Sequence, residues 1–428
     1  MSAHLTAYLD GTRVGWFERH AAGVAFAFDD GWRRSARRLE LSLSMLKSRR
    51  EHRGDAPINF LWNLLPDNDA VLQRWGSRFG VSPRNPMALL THVGLEAAGA
   101  VQLSEHDDAI LSAPAGAERI SEQQLAEHIR SLRADPSNWL LPGHVGGYFS
   151  LAGAQSKFAL TWTGRSWAVP TGRSASTHIV KPGIYGLDQG DLNEHLTMRA
   201  ASLLGLSVAN SRVEQFDDER VVVVERYDRR RRADGVVRLH QEDLAQALGV
   251  HPARKYQSEG GPGLMQIVDA IRQARGRDAG SSIAAIFDAT LFNWAALGTD
   301  GHAKNYSLLH DQVRGPRLAP LYDLTTALPY PSLNDRRARL AMSYGKRYKV
   351  AEIRPRHILR EARAIGIDEE EAVRRARHLV SGLAEAYSQA AGEVQLDDAS
   401  RAFVATLIDA AHARCRTLTA QLDEMSVP

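Results

Sequence analysis

The stretch Gly298-Thr299-Asp300-Gly301-His302-Ala303-Lys304-Asn305-Tyr306-Ser307 places a carboxylate, an imidazole, an ammonium and an amide within six positions. An apolar run at 287–297 precedes it and Leu308-Leu309 follows, so it reads as a short loop between two packed elements. Further on, Leu318-Ala319-Pro320-Leu321-Tyr322-Asp323 ends a second apolar run on a lone carboxylate. Upstream of about residue 241 strands dominate, and Val221-Val222-Val223-Val224-Glu225 reads as a buried strand of β-branched residues. Downstream, helical periodicity takes over, with amphipathic stretches at 369–380 and 401–422. A strand-rich part followed by a helix-rich end predicts an α+β protein with a sheet-rich lobe and a helical lobe.

The chain begins with hairpin chemistry. A strand at 3–9 stops at Asp10-Gly11, resumes at 13–17, and a third at 24–28 stops at Asp29-Asp30-Gly31. Residues 60–67 and 72–75 turn helical, 113–117 (Ala-Pro-Ala-Gly-Ala) reads as a linker, and Ser121 suits a helix N-cap. Strands and glycine turns fill 149–180, and 191–203 is helical. These breaks divide the chain into 1–112, a strand-rich 113–240 and a helical 241–428. The 428 residues are 44% hydrophobic and 24% charged, ordinary for globular domains and too many for one core. A formal charge of +3 leaves no case for a nucleic-acid-coating protein, although charge concentrated locally keeps nucleic acid open. With Cys415 alone there is no intramolecular disulfide or cysteine-rich zinc module. No leader-like start and no membrane-length apolar window are present, so the expectation is a soluble, cytoplasmic protein without a membrane.

The spacing Asp-x-x-x-x-Asn at Asp300 and Asn305 is that of a kinase catalytic loop, where Asp accepts a hydroxyl proton and Asn holds a phosphate-bridging metal. The same pair also suits an Asx-rich turn. Asp323 supplies the second oxygen ligand a magnesium ion takes beside an amide, or else caps the segment that follows. Lys181, at the end of the apolar strand His178-Ile179-Val180, points at phosphates or out to solvent, and Glu194 is its partner or a solvated helix-start acid. Ser150-Leu151-Ala152-Gly153-Ala154-Gln155-Ser156-Lys157 is a phosphate loop or a plain hairpin turn, and no Walker or dinucleotide glycine motif occurs in the chain. The sixteen histidines show no ligand spacing, Glu259–Gly263 reads as helix initiation, and Arg229–Arg232 as a solvated hairpin tip. The scattered bases at 336–356 have no geometry that one sequence fixes.

Taken in order, these segments resemble the HipA family of serine/threonine kinases, the toxin half of bacterial toxin–antitoxin pairs. The likeness rests on 60–67, 150–157, 177–182, Asn193-Glu194, 225–229, 241–243, 255–263, 299–307 and 321–323. It implies a two-lobed, protein-kinase-like fold that binds ATP and Mg²⁺. Asp300 would be the general base, with Asn305 and Asp323 the metal ligands. Lys181 would contact phosphates beneath a loop of Ala152, Gly153, Ala154, Gln155, Ser156 and Lys157. The hinge Glu225, Arg226 and Tyr227 would meet adenine, with His302, Ala303, Lys304 and Tyr322 around the pocket. Ser150 aligns with an autophosphorylated, silencing serine. The implied partners are a HipB-like helix-turn-helix antitoxin, operator DNA through it, and a protein substrate such as an aminoacyl-tRNA synthetase. Tyr227 replaces a familiar Phe, and Ser156 a common acid. A small-molecule kinase of the same architecture and a non-catalytic corepressor are the rival readings.

Overall fold

The computed structural model describes residues 4–105, 115–141, 149–183, 186–233, 235–333 and 337–424. Its first layer is an antiparallel five-stranded sheet ordered Glu51–His52, Gly23–Phe28, Thr12–His20, His4–Leu9, Val101–Ser104. Asp10 and Gly11 both sit at positive φ (48° and 75°), so the predicted turn forms with the handedness that matches strand twist. Helices Asp55–Leu64, Asp69–Phe79 and Pro86–Val93 accompany this sheet, the second capped by Asn68 and the third by Asn85 with Pro86 at its first position.

A second, six-stranded sheet runs Ser211–Phe216, Glu219–Glu225, His178–Lys181, Phe158–Trp162, Trp167–Gly172, Ala115–Arg119. The valine run explains how the lobes join. Val221 and Val223 enter an apolar core shared with the first sheet and its helices, whereas Val222 and Val224 enter the core of the helical part. A strand with both faces covered reads as continuous rather than alternating apolar residues. The helical core runs from Leu192 to Leu422 and takes in Gly190–Leu203, Ala279–Ala295, Glu369–Gly392 and Asp398–Asp423. The result is a two-lobed α+β fold, with its cleft at the end of the valine strand.

Two local expectations are corrected. The linker reading at 113–117 fails where the chain is described: Ala115–Arg119 is an edge strand paired with Trp167–Gly172, and positions 113 and 114 lie outside the described residues. Small residues there accept a pairing edge without needing a core face. The solvated tip holds for Arg230–Arg232, but the Arg229 side chain is only 2% exposed. It is drawn into a buried network in which Glu96 and Asp228 face Arg226, Arg229 and Arg238. This network ties the first domain to the end of the valine strand.

Candidate active site

A cavity of about 550 Å³ opens between the lobes. Strand His178–Lys181 delivers Lys181, and the helix Gly190–Leu203 behind it delivers Glu194. Both side chains are buried, and Lys181 Nζ lies 2.5 Å from Glu194 Oε1 while also binding Asp323 Oδ1. The alternatives of a surface lysine and a solvated helix-start acid are therefore excluded, because each group is the other's charge partner away from water. Asp323 adopts φ +54°, a left-handed conformation that Asp tolerates better than most residues. No helix follows it, so it caps nothing; the reversal turns its carboxylate toward Lys181.

Asp300 and Asn305 arrive on the loop between helix Ala279–Ala295 and strand Ser307–Asp311. The Asp300 side chain is 56% exposed, and its Oδ1 accepts a hydrogen bond from Tyr256 Oη at 2.5 Å. Asp300, Asn305 and Asp323 jointly border a second, smaller pocket beside the main cavity. His302, largely buried at 4.0 Å from Asp300, has its pKa lowered to about 4 by burial, so its ring is neutral at physiological pH. Tyr322 packs its ring 5.9 Å from that of Tyr227 and donates to Lys304 O at 2.8 Å.

The segment Ala152–Lys157 is irregular loop, not a hairpin, and folds back on itself. Lys157 Nζ donates to Ala152 O at 2.7 Å and lies 5.4 Å above the Trp139 ring. Burial first, and then the charge of Lys181, lower the Lys157 pKa to about 7. The Ser156 hydroxyl donates to Pro136 O at 2.9 Å. At the end of the valine strand, Glu225 N donates to Asn210 O and Arg226 N to Thr177 O, while the Arg226 guanidinium belongs to the buried network. Of the residues expected at the site, all line this cavity except Ala303, which is buried behind it, and Ser150. Ser150 is 0% exposed; its N–H donates to Glu96 O and its hydroxyl to Leu64 O, both at 2.7 Å.

Sequence reading missed several residues of the same cavity. Asp67 bridges Lys255 (2.9 Å) and Lys304 (3.1 Å); burial opposes its ionisation, yet Lys304 and Lys255 outweigh it and its pKa falls. Asp243 caps the helix Leu244–Ala247, and burial raises its pKa to about 6. Tyr256 was overlooked as well. The available signal was that Asp67, Asp243, Lys255 and Tyr256 all fall inside stretches already singled out at 60–67, 241–243 and 255–263.

Known proteins resemble this chain over most of its length. The sequence model of the HipA-like C-terminal domain matches residues 149–387, and that of the HipA N-terminal domain matches residues 5–104. The chain belongs to the HipA family. Within it, this chain is 38% identical over 393 residues to the kinase-family protein Y4mE of Sinorhizobium fredii, covering 90% of this chain and 91% of that one. It is 34% identical to the serine/threonine-protein kinase toxin HipA of Shewanella oneidensis over 302 residues, 66% of this chain and 65% of the other. A solved structure of a Shewanella oneidensis toxin–antitoxin system, HipA with HipB and its operator DNA, superposes with a TM-score of 0.83 at 26% identity, covering 98% of both chains. The HipA fold and kinase family are thereby established for this chain. Among the described residues, no helix is long and apolar enough to cross a membrane.

Proposed function

We propose that this HipA-family chain is an ATP- and Mg²⁺-dependent serine/threonine protein kinase and the toxin of a toxin–antitoxin pair. The observation that carries the reading is Lys181 held between Glu194 and Asp323 in the same cavity that Asp300 borders. The cavity suits a nucleotide. Among the described residues, buried Gln155 Nε2, Glu194 Oε2 and His302 Nδ1 have no hydrogen-bond partner, and all three residues line it. Unpaired buried polar atoms are costly, so groups aimed into a cavity fit one that receives a polar ligand. Asn305 and Asp323 border one pocket, so a magnesium ion there would take these two protein oxygens and its remaining ones from phosphate and water.

In this reading Lys181 and Lys157 bind phosphate oxygens, and the Ala152–Lys157 loop covers them. The end of the valine strand, with Tyr227 and Tyr322, receives the base. Asp300 takes the proton from the acceptor hydroxyl as it attacks the γ-phosphorus and ADP departs. Magnesium held by Asn305 and Asp323 would neutralise charge on the transferring group. Phosphate on Ser150 adds close to two negative charges at a site where the hydroxyl now donates to Leu64 O. The segment cannot stay in place with that charge, so autophosphorylation there dismantles the phosphate loop and silences the enzyme. A HipB-like antitoxin, operator DNA through it, and a translation component such as an aminoacyl-tRNA synthetase complete the proposal.

Incubation with γ-labelled ATP and Mg²⁺ tests it. Label is expected on the chain, at Ser150, and absent in Ser150→Ala. Label confined to a small-molecule fraction would instead make this a metabolite kinase.

A further inference from the structure

The glycine-rich motif at 255–263 is not absorbed by the roles above. It opens helix Leu264–Gln273 as the sequence suggests, but it also builds a rigid turn. Glu259 N–H (3.0 Å) and Gly261 N–H (2.9 Å) both donate to Tyr256 O. A Cβ on Gly261 would come within 2.1 Å of Arg254 O, so the turn closes only with glycine there. Gln257 Oε1 accepts from Ser343 N at 2.7 Å, which braces the turn against a neighbouring hairpin. Lys255 is pinned to Asp67 on one side of Tyr256.

The product of this scaffold is the Tyr256 hydroxyl bonded to Asp300 Oδ1, with its ring edge-on to His302 at 4.9 Å. Burial first, then the Asp300 charge, push the Tyr256 pKa up, so the hydroxyl remains a donor. Asp300 needs such help. Its side chain is more than half exposed, and among the described residues no other side-chain hydrogen bond reaches its carboxylate. A solvated carboxylate samples several rotamers, whereas proton acceptance in phosphoryl transfer requires one orientation. Tyr256 also lies in the wall between the nucleotide cavity and an adjoining groove that includes Trp62, Pro83 and His251.

We infer that Tyr256 is a positioning residue: its hydroxyl holds Asp300 Oδ1 and leaves Oδ2 to receive the acceptor proton. This inference rests on the kinase reading and on Asp300 as its base. The test is single-turnover transfer from γ-labelled ATP, at saturating Mg²⁺, to the full-length Asp300→Asn chain as acceptor. Tyr256→Phe keeps the ring and removes only the hydroxyl. Its transfer rate is expected to fall about 30-fold, with the KM for ATP within about twofold of wild type and the thermal midpoint unmoved. A variant transferring at the wild-type rate, or one whose loss lies in KM or in thermal stability, overturns the positioning role. Absence of transfer by the wild type would overturn the kinase reading beneath it, so the two failures are separable.

Discussion

Asp300→Asn is expected to slow phosphoryl transfer by about 10²–10⁴-fold, the span that general-base catalysis commonly contributes. The amide keeps the size and accepts the same hydrogen bond from Tyr256 Oη, but it cannot take up the acceptor proton. Because the side chain is largely exposed and makes no core contact, the thermal midpoint should match that of the wild type. Transfer rates measured beside a melting curve check both halves. A variant that transfers within a few-fold of wild type removes Asp300 from the mechanism.

Glu96→Gln is expected to lose about 3–5 kcal/mol of folding stability, the usual cost of breaking a buried ion pair from one side. Glu96 is buried and contacts Arg226 (3.0 Å), Arg229 (2.9 Å) and Arg238 (2.7 Å), so its loss leaves Arg226 and Arg229 with Asp228 and strips Arg238 of this carboxylate. Burial by itself pushes the Glu96 pKa up, but the three arginines and the Ser176 hydroxyl outweigh it and hold it far below the ordinary carboxylate range. A carboxylate depressed on folding contributes stability that is present above its unfolded pKa and lost as pH falls toward the folded value. Urea unfolding should therefore show the wild type weakening below about pH 4.5, with the Gln variant weak throughout and less dependent on pH. An equal stability of the two chains at pH 7 would show that the network is not what joins the first domain to the end of the valine strand.

Most of the cavity's lining was legible because the elements that deliver it leave marks in local sequence. An apolar strand ending in Lys181, a helix opening near Glu194, a polar loop with Asp300 and Asn305 five apart, and a lone Asp323 after an apolar run are each local patterns. Only the resemblance to a family joined them, since spacing carries no information about which distant strands meet. What stayed hidden depends on contacts across long separations. Tyr256 reaches Asp300 over 44 positions and Lys255 reaches Asp67 over 188. Glu96 meets Arg226 across 130 positions, and nothing in the residues around it departs from an ordinary helix-to-strand turn. The edge strand Ala115–Arg119 was hidden for another reason: its alanines and glycine carry no alternating pattern, because pairing to a neighbour and not burial holds it.

The proposed kinase activity requires one cavity to hold ATP with magnesium through Lys181, Asn305 and Asp323. Isothermal calorimetry with ATP, with and without Mg²⁺, tests this most directly. Saturable one-to-one binding that strengthens with Mg²⁺ is predicted for the wild type, with the magnesium enhancement lost in Asp323→Asn. Binding that ignores magnesium in both chains, or no ATP binding at all, would contradict the account.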